Sequence, residues 1–307
     1  MNPVSTKKIR IGSSVNQEIS IPIISVGKGQ RTVGIITGMH GNEPEGLFIF
    51  RNLLNELKKA KLNATVKLLA GANPFALIHS TRQGAFDAAD LNRSFPGDPS
   101  GNLTQRLAHA ITKEFSNCDT VIDLHSVVNH GGYMGLELEK SGPLLERTKN
   151  MNRLLKPDAI WQAIEGSKFN STLVYVLLQK GVSATVIEVP RLEYLTESVM
   201  NRVVNGLLHI AQLEPGKKVP SLKKPIPFFA SEQRYLADGG GIYNPIAQPM
   251  TIVKKGQPIG VMTDLVTLTD MVLRSRWGGI LTVQSSRKTV TTGDKIYVVG
   301  KKIGDFR

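Results

Sequence analysis

Along the first two-thirds of the chain, short apolar runs alternate with stretches whose apolar residues recur every three or four positions. TVGIITG (32–38) is a charge-free run rich in β-branched residues, suited to a buried strand, and Phe50, Leu53, Leu54 and Leu57 follow at helical spacing. Pro44 fits the first turn of that helix, where a missing N–H leaves nothing unpaired. ATVKLLAGANP, from residue 64, is the next strand candidate, and NLTQRLAHAITKEF then puts Leu103, Leu107, Ala108, Ile111 and Phe115 on one helical face. DTVIDLHS and ATVIEVP supply two further strands. Strands punctuated by helices predict an α/β fold with a mixed, largely parallel sheet flanked by helices.

The texture changes at LEPGKKVPSLKKPIP (213–227), where Pro and Lys replace any periodicity. Beyond it the helical pattern is lost, and Val253, Gly256, Ile259 and Val261 are echoed in kind and spacing by Val290, Gly293, Ile296 and Val298. The expected organisation is a catalytic α/β domain over 1–215, a linker over 216–227 and a small all-β domain of paired hairpins over 228–307. That tail resembles lipoyl and biotinyl carrier domains, but the hairpin MTDLVTLTDM has no lysine to carry a cofactor. A wall or lid over an active site is the role expected of it.

Composition narrows the class. With 307 residues, 41% hydrophobic and 21% charged, the chain can bury a substantial core, and no apolar run approaches the roughly 20 residues that span a bilayer. Basic residues near the start are followed by no apolar segment, which predicts a cytoplasmic protein. The net charge of +13 raises the question of nucleic acid, yet Lys and Arg fall in scattered pairs such as Lys217-Lys218 and Lys254-Lys255, with few aromatics between them. A solvated surface that favours small anions is expected, with no nucleic-acid or membrane partner; a homo-oligomer is left open. The single Cys118 forms no internal disulfide and is expected to be structural.

Four polar stretches lie at or just after predicted strands, where open α/β sheets gather their ligands. In HGNEPEG, His40 and Glu43 sit three apart in a tight loop with glycines at 38 and 41, a spacing that can share one metal ion, although an isolated His-x-x-Glu often arises by chance. In VIDLHS, Asp123 and His125 share a strand face, and His125 can supply a third ligand or be an ordinary strand-end histidine. STRQGAFDAADLNRSFPG is dense in Arg82, Asp90, Asn92 and Arg93, either oxyanion- and carboxylate-binding groups or a solvated turn with an aspartate cap. Glu188 interrupts the apolar strand ATVIEVP, as a general base beside a metal or as a structural glutamate paired with Arg191.

Taken together, HGNEPEG, the Asn73-Pro74 pair, Arg82, DLNRSFPG, DLHS and IEVP resemble the succinylglutamate desuccinylase and aspartoacylase family, a branch of the zinc carboxypeptidase-like clan, over about residues 30 to 190. The resemblance implies a zinc carboxypeptidase-like fold and one zinc ion per chain with His40, Glu43 and His125 as ligands. It implies Glu188 as the base acting on water, Arg82 polarising the scissile carbonyl, Asn92 and Arg93 gripping a substrate carboxylate, and Asp90 orienting a ligand histidine. One departure bears on the substrate: aspartoacylase has an arginine shortly before the base glutamate, and this chain has none between Lys168 and Glu188. N-acetylaspartate is therefore disfavoured, the branch resembling the N-acetyl-diaminobutyrate deacetylases is the better comparison, and Asn170, Ser171, Thr172 and Tyr175 are candidate replacements for the arginine.

The expected activity is zinc-dependent hydrolysis of the amide of a small N-acyl amino acid or amino-acid-like substrate. The rivals are a zinc carboxypeptidase acting on short peptides and a non-catalytic binding protein on the same scaffold.

Overall fold

The computed structural model describes residues 1–127, 130–138, 142–163, 169–214 and 216–307. Lys168, where the arginine-free stretch begins, lies outside the described residues. The chain opens with an antiparallel hairpin of β1 (Val4–Ser14) and β2 (Gln17–Val26), then runs through β3 (Arg31–Thr37), α1 (Glu45–Lys59), β4 (Ala64–Ala70), α2 (Pro74–His79), α3 (Leu103–Phe115) and β5 (Thr120–Ser126). After β6 (His130–Gly131) and β7 (Met134–Glu137) come α4 (Pro143–Leu155), β8 (Ala159–Gln162), α5 (Leu173–Gln179), β9 (Ser183–Val189) and α6 (Glu197–Gln212).

The strands β4, β3, β5 and β9 lie side by side in parallel register, with antiparallel β2 outside β4 and antiparallel β7 outside β9. This is the mixed, largely parallel sheet that the alternating pattern predicts. Side-chain alternation along each strand divides the core in two. Ile36, Leu69 and Val121 pack under α3 and α5, against Leu107, Ile111, Phe115 and Leu177. Val33, Ile35, Ile122, Leu124 and Ile187 face the other way, against Ile49, Leu53 and Leu57 of α1 and Val203, Leu207 and Ile210 of α6. Each such fully buried aliphatic side chain contributes about 1.5–3 kcal/mol. The β1–β2 hairpin and the stretch from β7 to α6 carry elements the sequence reading passed over. β1 is a charge-bearing edge whose side chains are mostly exposed, so its alternation has little apolar contrast.

Among the described residues, all regular elements after α6 are strands: β10 (Ile226–Leu236), β11 (Gly241–Pro245), β12 (Thr251–Val253), β13 (Pro258–Thr263), β14 (Asp270–Arg274), β15 (Gly279–Gln284), β16 (Thr289–Val290) and β17 (Lys295–Phe306). β10 joins β8 in parallel, so the first sheet continues through β10, β17, β15 and β12, while β14, β13, β11 and β16 form a second sheet. A third small core, built on Tyr235, Tyr243, Ile259, Leu281 and Tyr297, lies here. Gly131 of β6 pairs with Val283 of β15, which ties the chain just beyond β5 to this region. No described helix is long and apolar enough to cross a membrane.

Candidate active site

The parallel strands β3, β5 and β9 deliver their C-terminal ends to one edge, and the candidate residues gather there. The loop from β3 to α1 carries His40 and Glu43. Gly38 takes a φ of +73°, which a residue with a Cβ rarely adopts, and a Cβ on Gly41 would collide with the Ala76 carbonyl of α2. Both glycines let the loop fold tightly over the sheet. His125 is the penultimate residue of β5, and Glu188 is its register neighbour on β9.

The Glu43 carboxylate bridges the two imidazoles: Oε1 lies 2.8 Å from His40 Nδ1 and Oε2 lies 2.9 Å from His125 Nδ1. All three side chains are buried, and their donor atoms fall within 4.8 Å of one another. Each ring turns its other nitrogen to a carboxylate, His40 Nε2 to Asp90 Oδ1 at 3.2 Å and His125 Nε2 to Asp123 Oδ2 at 3.0 Å. Two imidazoles presenting Nδ1 inward, each braced from behind by an acid, together with a facing carboxylate, form a nitrogen–oxygen donor set that fits a divalent ion such as zinc.

The electrostatics point the same way. Burial pushes the Glu43 carboxyl up, but the His125 and His40 rings more than reverse this and hold it well below the usual carboxylate range. Burial opposes charge on His125, yet Asp123 and Glu43 outweigh it and raise the imidazole well above its ordinary value. Three carboxylates around two imidazoles create a demand for positive charge, which protons or a metal ion can meet. Burial also pushes Glu188 up to about 7, with the Glu43 charge adding to the rise and the His125 charge opposing it. Glu188 is half-buried and makes no hydrogen bond or ion pair with a described residue.

Arg82 leans over this cluster. Its Nε and Nη2 hold Asp90 Oδ2 at 3.0 and 2.9 Å, and its Nη1 comes within 3.6 Å of Glu43 Oε1. Burial pushes Asp90 up; the His40 ring and the guanidiniums of Arg82 and Arg93 override it and hold the carboxyl at about 2. Asn92 is spent within the protein, its Oδ1 accepting from Leu173 N–H at 3.1 Å and its Nδ2 lying 3.2 Å from His125 Nε2. Arg93, exposed to solvent, donates from Nη1 to the Asn92 carbonyl at 2.6 Å. Thr172 caps α5, while Arg191, the candidate partner of Glu188, instead donates to the Asn42 carbonyl at 2.8 Å and lies 3.4 Å from Glu45. Cys118 is buried, and burial raises its thiol to about 11, so it stays protonated at neutral pH.

The sequence profile of the succinylglutamate desuccinylase/aspartoacylase catalytic domain matches residues 29–213, a span that holds every residue of this cluster. The chain belongs to this family. It is 34% identical over 110 residues to the N-alpha-acetyl-L-2,4-diaminobutyric acid deacetylase of Halomonas elongata, a match over 35% of this chain and 32%, about a third, of that curated relative's length. The solved structure of a succinylglutamate desuccinylase/aspartoacylase from Rhodobacter sphaeroides superposes with a TM-score of 0.78 at 23% identity, over 97% of this chain and 96% of that one. A metallo-carboxypeptidase from Burkholderia cenocepacia shares the fold more distantly, with a TM-score of 0.54 at 15% identity over 66% of this chain and 62% of that one.

Two residues of this family member's site carry more than their sequence context suggests. Asp123 shares a strand face with His125, which is legible, but its contact with the ring depends on the rotamer. Glu45, in the same HGNEPEG motif, accepts from Ser126 Oγ at 2.5 Å and from Leu192 N–H at 3.1 Å, and so ties the His40 loop to the ends of β5 and β9. Asp123→Asn is expected to weaken the affinity of this donor set for a divalent ion about 10- to 100-fold, because the amide no longer fixes the ring's tautomer and basicity. Competition against a chromogenic chelator measures this, and an unchanged dissociation constant would restrict Asp123 to a role in the fold.

Proposed function

We propose that the protein is a zinc-dependent deacylase that hydrolyses the amide bond of a small N-acyl amino acid or amino-acid-like substrate. The observation that carries this reading is the convergence of His40, Glu43 and His125, at the ends of three adjacent parallel strands, beside a Glu188 that makes no ion pair with a described residue. His40 Nδ1, His125 Nδ1 and the Glu43 carboxylate would hold one zinc ion per chain, which when bound supplies Lewis acidity to a carbonyl and acidifies water near neutral pH.

The chain's own groups do the rest. Glu188 takes a proton from the attacking water and returns it to the departing amine; a carboxylate whose burial has raised its basicity is suited to both steps. Arg82, about 40% exposed and anchored on Asp90, turns Nη1, which lies 3.3 Å from His40 Nδ1 and 3.6 Å from Glu43 Oε1, to the oxyanion that develops on the carbonyl. Asn92 and Arg93 take the substrate carboxylate, Arg93 as the charge and Asn92 after exchanging an internal partner, while Asp90 fixes the His40 ring. The name of the Halomonas elongata relative supports an N-acetylated amino acid as the substrate type.

A panel of N-acetyl, N-succinyl and N-formyl amino acids, with short peptides alongside, tests the reading by amine release from metal-loaded protein. N-acyl amino acids are expected to exceed peptides in kcat/KM by on the order of a hundredfold. The reverse order would favour the carboxypeptidase alternative, and no amine from any member would sink the deacylase assignment.

A further inference from the structure

The Pro- and Lys-rich stretch between α6 and β10, expected from its composition to be a linker, lines a groove of about 950 Å³. The rest of the lining comes from the end of α4 and the turn after it, from the C-terminal part of α6, and from Met250 just before β12. None of these residues belongs to the cluster around His40 and His125. Within the stretch, Val219, Leu222 and Pro225 are half-buried and line the groove, whereas the pairs Lys217-Lys218 and Lys223-Lys224 are exposed. A chain without regular hydrogen bonding that spaces its apolar residues three apart can turn them all to one side. Leu154, Pro157, Ile226 and Met250 extend the apolar surface.

The charge around this surface is one-sided. Lys156, Lys217, Lys218, Lys223 and Lys224 all line the groove, and the carboxylate among the described lining residues, Asp158, is already held by Arg202 Nη1 and Nη2 at 2.7 and 3.1 Å. Lys217 has a loose partner in exposed Glu214 at 3.8 Å, but the other four lysines make no ion pair with a described residue. Arg153 is spent on Glu146, Asn150 and the Arg307 main-chain oxygen. A lone exposed lysine is simply solvated; several beside one apolar depression also raise the local concentration of anions, while the depression rewards a ligand that brings apolar surface.

We propose that this groove binds an amphipathic anion, an aliphatic chain ending in a carboxylate, with the chain on Leu154, Leu222, Ile226 and Met250 and the head among Lys218, Lys223 and Lys224. Its volume falls within the roughly 300–1,000 Å³ of small-molecule sites. A nucleotide, which is also an anion with an apolar body, suits the lining less well. Among the described lining residues no Phe, Tyr or Trp is present to stack a base, and Pro157, Pro220, Pro225 and Pro227 offer no N–H to read its edge. This site stands independently of the deacylase reading.

Calorimetry of the full chain with decanoate, kept below micelle formation, is expected to show one saturable site. Octanoate, two methylenes shorter, should bind about tenfold more weakly, and acetate should show no saturable binding. Lys223→Glu combined with Lys224→Glu should weaken decanoate about tenfold, whereas Lys254→Glu combined with Lys255→Glu, an equal charge change outside the groove, should cost less than about threefold. Leu222→Asp should weaken it about tenfold or more by setting a carboxylate against the chain. Equal losses from the two lysine pairs would reduce the effect to the net charge of the protein and overturn the site. So would wild-type affinity in Leu222→Asp, or the absence of saturable decanoate binding. Equal affinity for decanoate and acetate, or tighter binding of ADP than of decanoate, would overturn the aliphatic class of ligand.

Discussion

Glu188→Gln is expected to lower kcat by about 10³-fold, within the range that positioned proton transfer contributes, while zinc remains bound at one ion per chain. The amide is nearly isosteric with the carboxylate, and Glu188 forms no ion pair with a described residue, so the substitution breaks no described contact and leaves His40, Glu43 and His125 as they are. It removes only the capacity to accept a proton. The effect should fall on kcat and kcat/KM alike, because the interaction lost belongs to the transition state. The pH dependence follows from the same group. A base works ionised, so activity should rise with pH through its pKa; burial sets that at about 7 in the metal-free protein, and a nearby divalent cation lowers it. The wild type should therefore show an acid limb below about pH 7, and the residual activity of Glu188→Gln should lack it. Steady-state kinetics with metal analysis of the same preparations decides the matter: a loss of less than tenfold, with the acid limb intact, would assign the base elsewhere.

Much of this site is legible in the sequence because the physics that makes it is local. His40 and Glu43 are three residues apart, Asp123 and His125 share a strand face by alternation, and the strands carrying His125 and Glu188 announce themselves as apolar runs. The helix α1 is legible for the same reason, since one face of it fills the core with Ile49, Leu53 and Leu57. What escapes is what depends on distant partners. The exposed, charge-bearing β1 offers little apolar contrast, and the strands that continue the sheet through β10 and β17 are joined to β8 by a pairing that no local pattern encodes. Glu45 looks like an ordinary polar residue until Ser126 and Leu192 arrive beside it from far along the chain, and Asn92, though a candidate in the sequence, gains its contact with Leu173 only in the fold.

Removing the metal is expected to abolish activity, and the identity of the ion that restores it reports on the donor set. Two imidazoles and one carboxylate make a borderline site, so zinc or cobalt should reactivate chelator-treated protein while magnesium and calcium, which favour all-oxygen shells, should not. His125→Ala should show no activity with any of these ions, since it removes one of three protein donors and leaves Glu43 and Asp123 as buried carboxylates without their shared imidazole. Metal binding must also appear as stability, because the unfolded chain does not hold the three donors together. At 100 to 1,000 times its dissociation constant, a ligand that binds only the folded state adds about 2.7–4.1 kcal/mol, enough to raise Tm by roughly 5 °C in a chain of this size. Thermal melts of wild type and His125→Ala, with and without zinc, separate this from loose surface binding: the shift should occur in the wild type and vanish in the variant. An equal shift in both would place the ion away from the pair of histidines, and the proposed chemistry at Glu188 would go with it.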